Sequence, residues 1–524
     1  MNKSTPGPDH NTQSSSLALE LARRWRALLT SKNAVPLCLA AILVMGAVFR
    51  FTGVNWDDHT HLHPDERHVW MVAMGIELPE SLGEYLDRAT SPLNPYNRGS
   101  SFVYGTLPLF LTKAVSQMLK MGDGGHIHLV GRVLAGCFDL VTVFLMFFIG
   151  RKLYGVGEGL LSAFFAACTV VNIQQAHFFT VDSFVVTFVV LTFLLALRVV
   201  ERGSWSDFLW MGVSFGLAVA SKINVALFGV VMALACLLRI YYALRTPSSP
   251  RARMTRTRRS GGLPKWEKVI GGVALSLSLE GPSNAEQDDE EDDEEAESAP
   301  VEPSARPEPH WLDVGYGVAL KFAVSLMIAF FAFRIAQPYT FEGPGFFDLG
   351  FEPRWVKDMD WISRAQTGEI DYFPSHQWAS RPAIIYSLKN MVQWLVGVPL
   401  GLASWAGWAL AWYELWRKRK LEHVLALAWT TLFFFYQATR FVKVSRYLIP
   451  CLPFMSVLGA YLLVTIWKHA RSSGVLWKQR AAVVLMVAVT LGTFLWAFAF
   501  TQIYTRPLTR VSASLWAYDN IPEG

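Results

Sequence analysis

The sequence predicts an all-α polytopic membrane protein, and three observations carry that reading. Of its 524 residues, 52% are hydrophobic and only 17% are charged, against about 25% charged in an average soluble domain. The charges collect in short blocks between long apolar runs, and a run of about 20 apolar residues is enough to cross the hydrocarbon core of a bilayer. No stretch alternates polar and apolar residues as a membrane β-barrel strand would. The net charge of +5 resides in loops, so a nucleic-acid partner is not expected. The five cysteines, Cys38, Cys137, Cys168, Cys236 and Cys451, all sit inside apolar runs. They read as small buried hydrophobes, not as a disulfide framework or a metal set.

Residues 1–33 read as a polar Ser/Thr/Pro-rich tail and a basic juxtamembrane helix around Arg23-Arg24-Trp25-Arg26, without a cleavable signal. Spans are expected near 34–52, 129–150, 157–175, 180–199, 206–221, 223–243, 313–335, 390–415, 421–438, 446–467 and 481–503. Residues 101–119 are the ambiguous stretch, because they hold Pro108, Lys113 and Gln117. If they do not span, Arg151-Lys152, Arg198 with Arg202, Arg251 to Arg259, Arg417 to Lys420 and Lys468 to Arg480 all share the cytoplasmic side. The stretch is therefore expected to lie in the outer interface, which leaves about 11 spans and outer-face juxtamembrane helices.

The domain plan follows. Residues 34–243 form an N-terminal transmembrane catalytic region with an outer loop at 53–128. Residues 244–312 join an Arg-rich block to an unbroken acidic run, Asp288 to Glu295, a composition expected to stay disordered in the cytoplasm. Residues 313–507 form a C-terminal transmembrane region with an aromatic-rich outer loop at 337–389. Residues 508–524 read as the start of an outer-face soluble segment. The expected location is the plasma membrane, with the N-terminus cytoplasmic.

Candidate chemistry starts at Asn55 to His68, where four acids and four histidines fall within fourteen residues. Asp65, with Glu66 beside it, is the candidate catalytic centre. Parity places His177, Asp182, Lys222, Arg440, Lys443 and Arg446 on the same side. Ionisable groups gathered at one membrane boundary suggest a site. Acids with cations there suit a substrate with an anionic phosphate headgroup and a lipid tail, the cations neutralising the phosphate as it leaves and a carboxylate acting as base on an acceptor hydroxyl. Plainer readings stand beside these: Asp182 could cap a helix, Lys222 could snorkel, Arg440, Lys443 and Arg446 could anchor the interface, and Glu66 could be a solvated neighbour. His59, His61 and His63 would share a face of an extended segment, with Asp57 joining them, and Asp57, His59 and His61 could hold a divalent metal, although no helical His-x-x-x-His spacing is present. No cofactor is otherwise expected.

Taken in order, several motifs resemble the protein O-mannosyltransferase-like, phospholipid-carrier-dependent glycosyltransferases of the GT-C fold. They are His63-Pro64-Asp65-Glu66, Asn94-Pro95 through Tyr104-Gly105-Thr106-Leu107-Pro108-Leu109, Ala176 to Asp182, Ser221-Lys222, Gln377-Trp378-Ala379, Lys389-Asn390-Met391 and Arg446-Tyr447-Leu448-Ile449-Pro450. The resemblance implies a GT-C-like fold, a polyprenyl-phosphate-linked sugar donor and an inverting transfer on the outer face. It implies that Asp65 is the base, that Glu66 and Asp182 support it, and that Lys222 and Arg446 face the donor phosphate. Arg440 and Lys443, placed on that side by parity, are expected to join the phosphate site, and His63, His177 and Tyr104 to line it. The β-trefoil inserted in eukaryotic protein mannosyltransferases is not found here, and the similar aminoarabinose transferases modify a lipid. The acceptor thus stays open among lipid, glycan and protein. Two rivals remain: an oligosaccharyl transferase or polymerase with a diphosphate-linked donor, and a lipid-linked-sugar transporter or flippase, which would place its charges nearer the bilayer midplane.

Overall fold

A computed structural model describes residues 33–99, 102–245, 311–343 and 345–522. The expected N-terminal tail and almost all of the charged insertion lie outside these residues. In chain order the principal helices are α1 (Ala34–Phe51), α2 (Pro64–Gly75), α3 (Thr106–Met118), α4 (Ile127–Leu153), α5 (Val156–Ala167), α6 (Val170–Ala176), α7 (Asp182–Glu201), α8 (Trp205–Ser221) and α9 (Gly229–Arg245). They continue as α10 (Trp311–Ala336), α11 (Pro353–Thr367), α12 (Val398–Lys418), α13 (Val424–Ala438), α14 (Leu452–Ser472), α15 (Leu476–Thr501) and α16 (Thr509–Asn520). Among the described residues the β content is one isolated bridge, Phe341 to Phe351.

Two units emerge: residues 1–236 with 320–524, and residues 237–319. Within the described residues the smaller unit holds only the last turns of α9 and the first turns of α10. In the larger unit, α4 packs on α5 and α7, α7 on α8, α12 on α14, and α14 on α5.

The expected 11 spans are not all met. Seven helical stretches among the described residues are long and apolar enough to cross a bilayer, or eight if the bent pair α5–α6 is one span. The shortfall has physical causes. Helices α8 and α13 have 17 and 15 residues, and 15 residues rise only about 22 Å against a core of about 30 Å. Helix α12 has 21 residues but is rich in Trp, Ala and Gly and so less apolar. At 13 residues, α3 is not among the candidate spans either.

The 54° bend between α5 and α6 is built around a buried charge. Arg50, in the last turn of α1, donates to the carbonyls of Ala167 at 3.0 Å and Ala166 at 3.3 Å. These oxygens lose helical partners at the break. Asp139 of α4 accepts from Arg50 Nε at 2.6 Å, and Asn172 of α6 donates to the other Asp139 oxygen at 2.8 Å. A charge at membrane depth is tolerated when it is paired and its polar atoms are satisfied in this way, so the network fixes four helices, α1, α4, α5 and α6, against one another.

Candidate active site

The motif His63-Pro64-Asp65-Glu66 is the start of α2. His63 caps it, its Nδ1 accepting from the Glu66 amide at 3.2 Å, and Pro64 occupies the first turn, where its fixed φ suits a helix and its missing N–H costs nothing. Asp65 and Glu66 both lie in that first turn, where carboxylates are favoured by the helix dipole. Consecutive helical residues point about 100° apart. The two acids therefore serve different surroundings.

Asp65 is partly open, its side chain 27% exposed. One carboxylate oxygen accepts from the Tyr104 hydroxyl at 2.9 Å, and the other is bound by the Arg446 guanidinium. His63 Nε2 stands 4.0 Å from the second oxygen, and its ring stacks on Phe178 with centroids 4.1 Å apart. Burial raises the proton affinity of the Asp65 carboxyl, but Arg446 and the Tyr104 hydroxyl outweigh it and hold the group at about 2. Burial lowers that of His63 against the pull of Asp65, which favours the neutral ring that accepts at Nδ1. Tyr104 can reach Asp65 because Gly105 follows it: a Cβ there would meet the Ala220 carbonyl oxygen at 2.0 Å, and the Gly105 amide bonds Ser221 O at 3.2 Å. This contact sets the Tyr104 segment against the end of α8, one residue before Lys222.

Glu66 faces inward and is fully buried. Arg132 of α4 binds it in a fork, Nε to Oε1 at 2.7 Å and Nη2 to Oε2 at 2.8 Å, while the Phe179 amide donates to Oε1 at 2.9 Å. The third nitrogen of Arg132 reaches Asp57 Oδ1 at 3.0 Å and the Val54 carbonyl at 2.8 Å. Glu66 is thus no solvated neighbour. It ties the helix that presents Asp65 to α4 and to the Phe178–Phe179 turn.

Asp182 is the first residue of α7, and its carboxylate is engaged by Lys222 Nζ at 2.7 Å. Lys222 sits over the Tyr447 ring at 4.9 Å, and Arg446 approaches the same ring at 5.8 Å. Tyr447 therefore joins the Asp182–Lys222 pair to the Arg446–Asp65 pair, making one assembly of two acids and two cations.

Other expected residues fall elsewhere. Arg440 lies over the Tyr436 ring at 4.4 Å, and Lys443 donates to the Phe441 carbonyl at 3.1 Å. The expectation that His177 lines the site is corrected. It is fully buried, its ring nitrogens lie 2.8 Å from the carbonyls of Ile173 and Thr52, and it stacks on Tyr504 at 3.6 Å. The extended-strand argument for Asp57, His59 and His61 is corrected too: His59 and His61 have φ of +60° and +49°, so the segment is coiled, and one Asp57 oxygen is already held by Arg132. His61 stacks on Trp70 at 4.1 Å. Among the described residues no three His, Cys, Asp or Glu are grouped so as to hold a metal ion.

Residues 118–252 match the profile of the family described as dolichyl-phosphate-mannose-protein mannosyltransferase. The matched segment carries Arg132, Asp182 and Lys222 and includes two of the motifs that carry the resemblance, Ala176 to Asp182 and Ser221-Lys222. No curated protein matches the sequence. In fold, the chain is similar to the Archaeoglobus fulgidus oligosaccharyltransferase in its apo form, with a TM-score of 0.54 at 11% identity over 95% of this chain and 59% of that one. The same enzyme, AglB, in complex with an inhibitory peptide and a dolichol-phosphate, matches with a TM-score of 0.52 at 11% identity over 94% and 59%. The chain thus spans less than two thirds of the length of that relative, and at this identity the likeness is one of fold, in keeping with a GT-C-like architecture. ArnT from Cupriavidus metallidurans bound to undecaprenyl phosphate aligns at 13% identity over 84% and 75%, with a TM-score of 0.41, too low to carry an argument.

Proposed function

We propose that the protein is an integral-membrane glycosyltransferase that moves a sugar from a polyprenyl-phosphate carrier to an acceptor hydroxyl on the extracytoplasmic face, with inversion. The observation that carries the reading is the assembly of Asp65, Arg446, Lys222 and Asp182 around Tyr447. It offers two cations to a phosphate and one partly open carboxylate to a hydroxyl. The mannosyltransferase-family match over 118–252 supports the donor class, and the positive-inside pattern supports the orientation.

Without donor, Arg446 neutralises Asp65 and Lys222 neutralises Asp182. A donor phosphate competes for both cations, which both approach the Tyr447 ring. As Arg446 turns to the phosphate, the interaction that keeps Asp65 acidic weakens, and its basicity rises when a base is needed. The acceptor oxygen then attacks the anomeric carbon opposite the phosphate. The carbon–oxygen bond to phosphate breaks with its electron pair going to the leaving polyprenyl phosphate, and the acceptor proton passes to Asp65. Arg446 and Lys222 stabilise the leaving charge, with Arg440 and Lys443 contributing positive potential from the adjoining segment. Glu66 acts through position, by fixing the start of α2, and Asp182 by holding Lys222. Tyr104 and His63 line the reacting carboxylate.

The fold likeness to an oligosaccharyltransferase favours one second reading, transfer of an oligosaccharide from a diphosphate-linked donor. The test offers purified protein in lipid either polyprenyl-phosphate hexose or a polyprenyl-diphosphate oligosaccharide, with a crude envelope acceptor extract. Release of polyprenyl monophosphate from the first donor alone, with an inverted anomeric centre in the product, supports the proposal. Consumption of the second alone overturns it in favour of the rival.

A further inference from the structure

A second cluster of charge lies away from Asp65, at the end of α12. Glu414 is buried and accepts from Lys418 at 2.9 Å, Lys420 at 3.1 Å and the Tyr461 hydroxyl. Tyr461 is in α14, fifteen residues beyond Arg446 and so roughly 20 Å further along the helix. This clamp stiffens the turn after α12, and it leaves a residue of charge. Glu414 offsets one of the two charges on Lys418 and Lys420, which share it, whereas Arg417 and Arg419 are exposed and have no acidic partner among the described residues.

Arg419 ends the helix in the left-handed region, φ +55°, a conformation that favours glycine or asparagine. It forms one rim of a groove with a volume of about 290 Å³, lined also by Trp412, Leu415, Trp416 and Leu421. Trp412 is pinned through its Nε1, which lies 3.3 Å from Thr431 Oγ1. Trp416 is 76% exposed. The groove is thus an apolar slot with an aromatic wall that also holds the exposed Arg419 guanidinium.

We propose that this groove binds one anionic glycerophospholipid, its phosphate on Arg419 and an acyl chain along Trp412, Leu415 and Leu421. Charge complementarity selects the occupant. The apolar lining takes a chain, the guanidinium takes a phosphate bidentately, and the net positive turn favours a lipid with net negative charge over a zwitterionic one. Trp416 suits the headgroup boundary, where an amphipathic ring sits well. The left-handed Arg419 keeps its side chain at this groove, because the turn is locked on both sides by Lys418 and Lys420.

The test is native mass spectrometry of the full chain in detergent, titrated with phosphatidylglycerol or with phosphatidylcholine of the same acyl chains. The wild type is expected to hold one phosphatidylglycerol at least tenfold more tightly than phosphatidylcholine. Arg419→Gln should bring the two lipids level, Trp416→Ala should weaken both, and Arg480→Gln, on another basic turn, should change neither. Equal retention of both lipids by the wild type overturns the proposal. So does a phosphatidylglycerol preference that survives Arg419→Gln, an equal loss in Arg480→Gln, or no effect of Trp416→Ala.

Discussion

Arg446 and Asp65 are 381 positions apart in the chain, yet the guanidinium of one is bound to the carboxylate of the other. The contact closes the C-terminal half of the protein onto the first loop. It also leaves Asp65 neutralised until something displaces the arginine.

The pH dependence of stability follows from this pair. In the folded protein the Asp65 carboxyl is lowered from 3.8 to about 2, so the unfolded chain binds its proton more readily. The pair's contribution is therefore fully present above about pH 4 and is lost as pH falls toward about 2. Solvent screening keeps it modest, since Asp65 is partly exposed. Replacing Arg446 with Gln should flatten this acid limb, which unfolding midpoints of both proteins between pH 5 and 2 would reveal. Identical acid limbs would argue that Arg446 does not hold Asp65 in solution.

Arg132 is expected to matter for folding more than for chemistry. It binds two buried acids at once, Glu66 and Asp57. Breaking a buried ion pair by removing one partner costs about 3–5 kcal/mol. Arg132→Ala should lower the melting temperature and the yield of folded protein markedly. Glu66→Gln, which keeps shape and one acceptor, should cost less. Melting curves in one detergent check both, and an unchanged melting temperature for Arg132→Ala would contradict the buried network.

Tyr104→Phe tests the other partner of Asp65. A hydrogen bond to a charged group contributes about 1.5–3 kcal/mol to stability, so the melting temperature should fall measurably, and turnover should fall as Asp65 loses the hydroxyl that orients it. Gly105→Ala should do more damage, because its Cβ would meet the α8 carbonyls. If Gly105→Ala retains full turnover, the close packing of this loop on α8 is not needed for the site.

The sequence exposed the acids and cations of the site but not their wiring. Asp65, Asp182, Lys222 and Arg446 were legible because charges at run boundaries are rare, and topology parity grouped them. Arg440, Lys443 and His177 obeyed the same parity without joining the assembly, since parity fixes a side and says nothing of direction around a helix. Arg132, Arg50 and Asp139 escaped notice inside or beside apolar runs. A signal was there: a lone arginine and an aspartate within one apolar stretch need partners at membrane depth. The expected span count is met only in part for a related reason. Apolar runs marked α8, α12 and α13, but only helix length and hydropathy together decide whether a run can cross, and Trp, Ala and Gly dilute the latter.

The central claim is that Asp65 is the base. Its most direct test compares wild type and Asp65→Asn for release of polyprenyl phosphate from a polyprenyl-phosphate hexose, with melting temperature measured on the same samples. General-base catalysis contributes about 10²–10⁴-fold. The account predicts a loss of that size in Asp65→Asn at a similar melting temperature. Turnover preserved in a folded Asp65→Asn would contradict it.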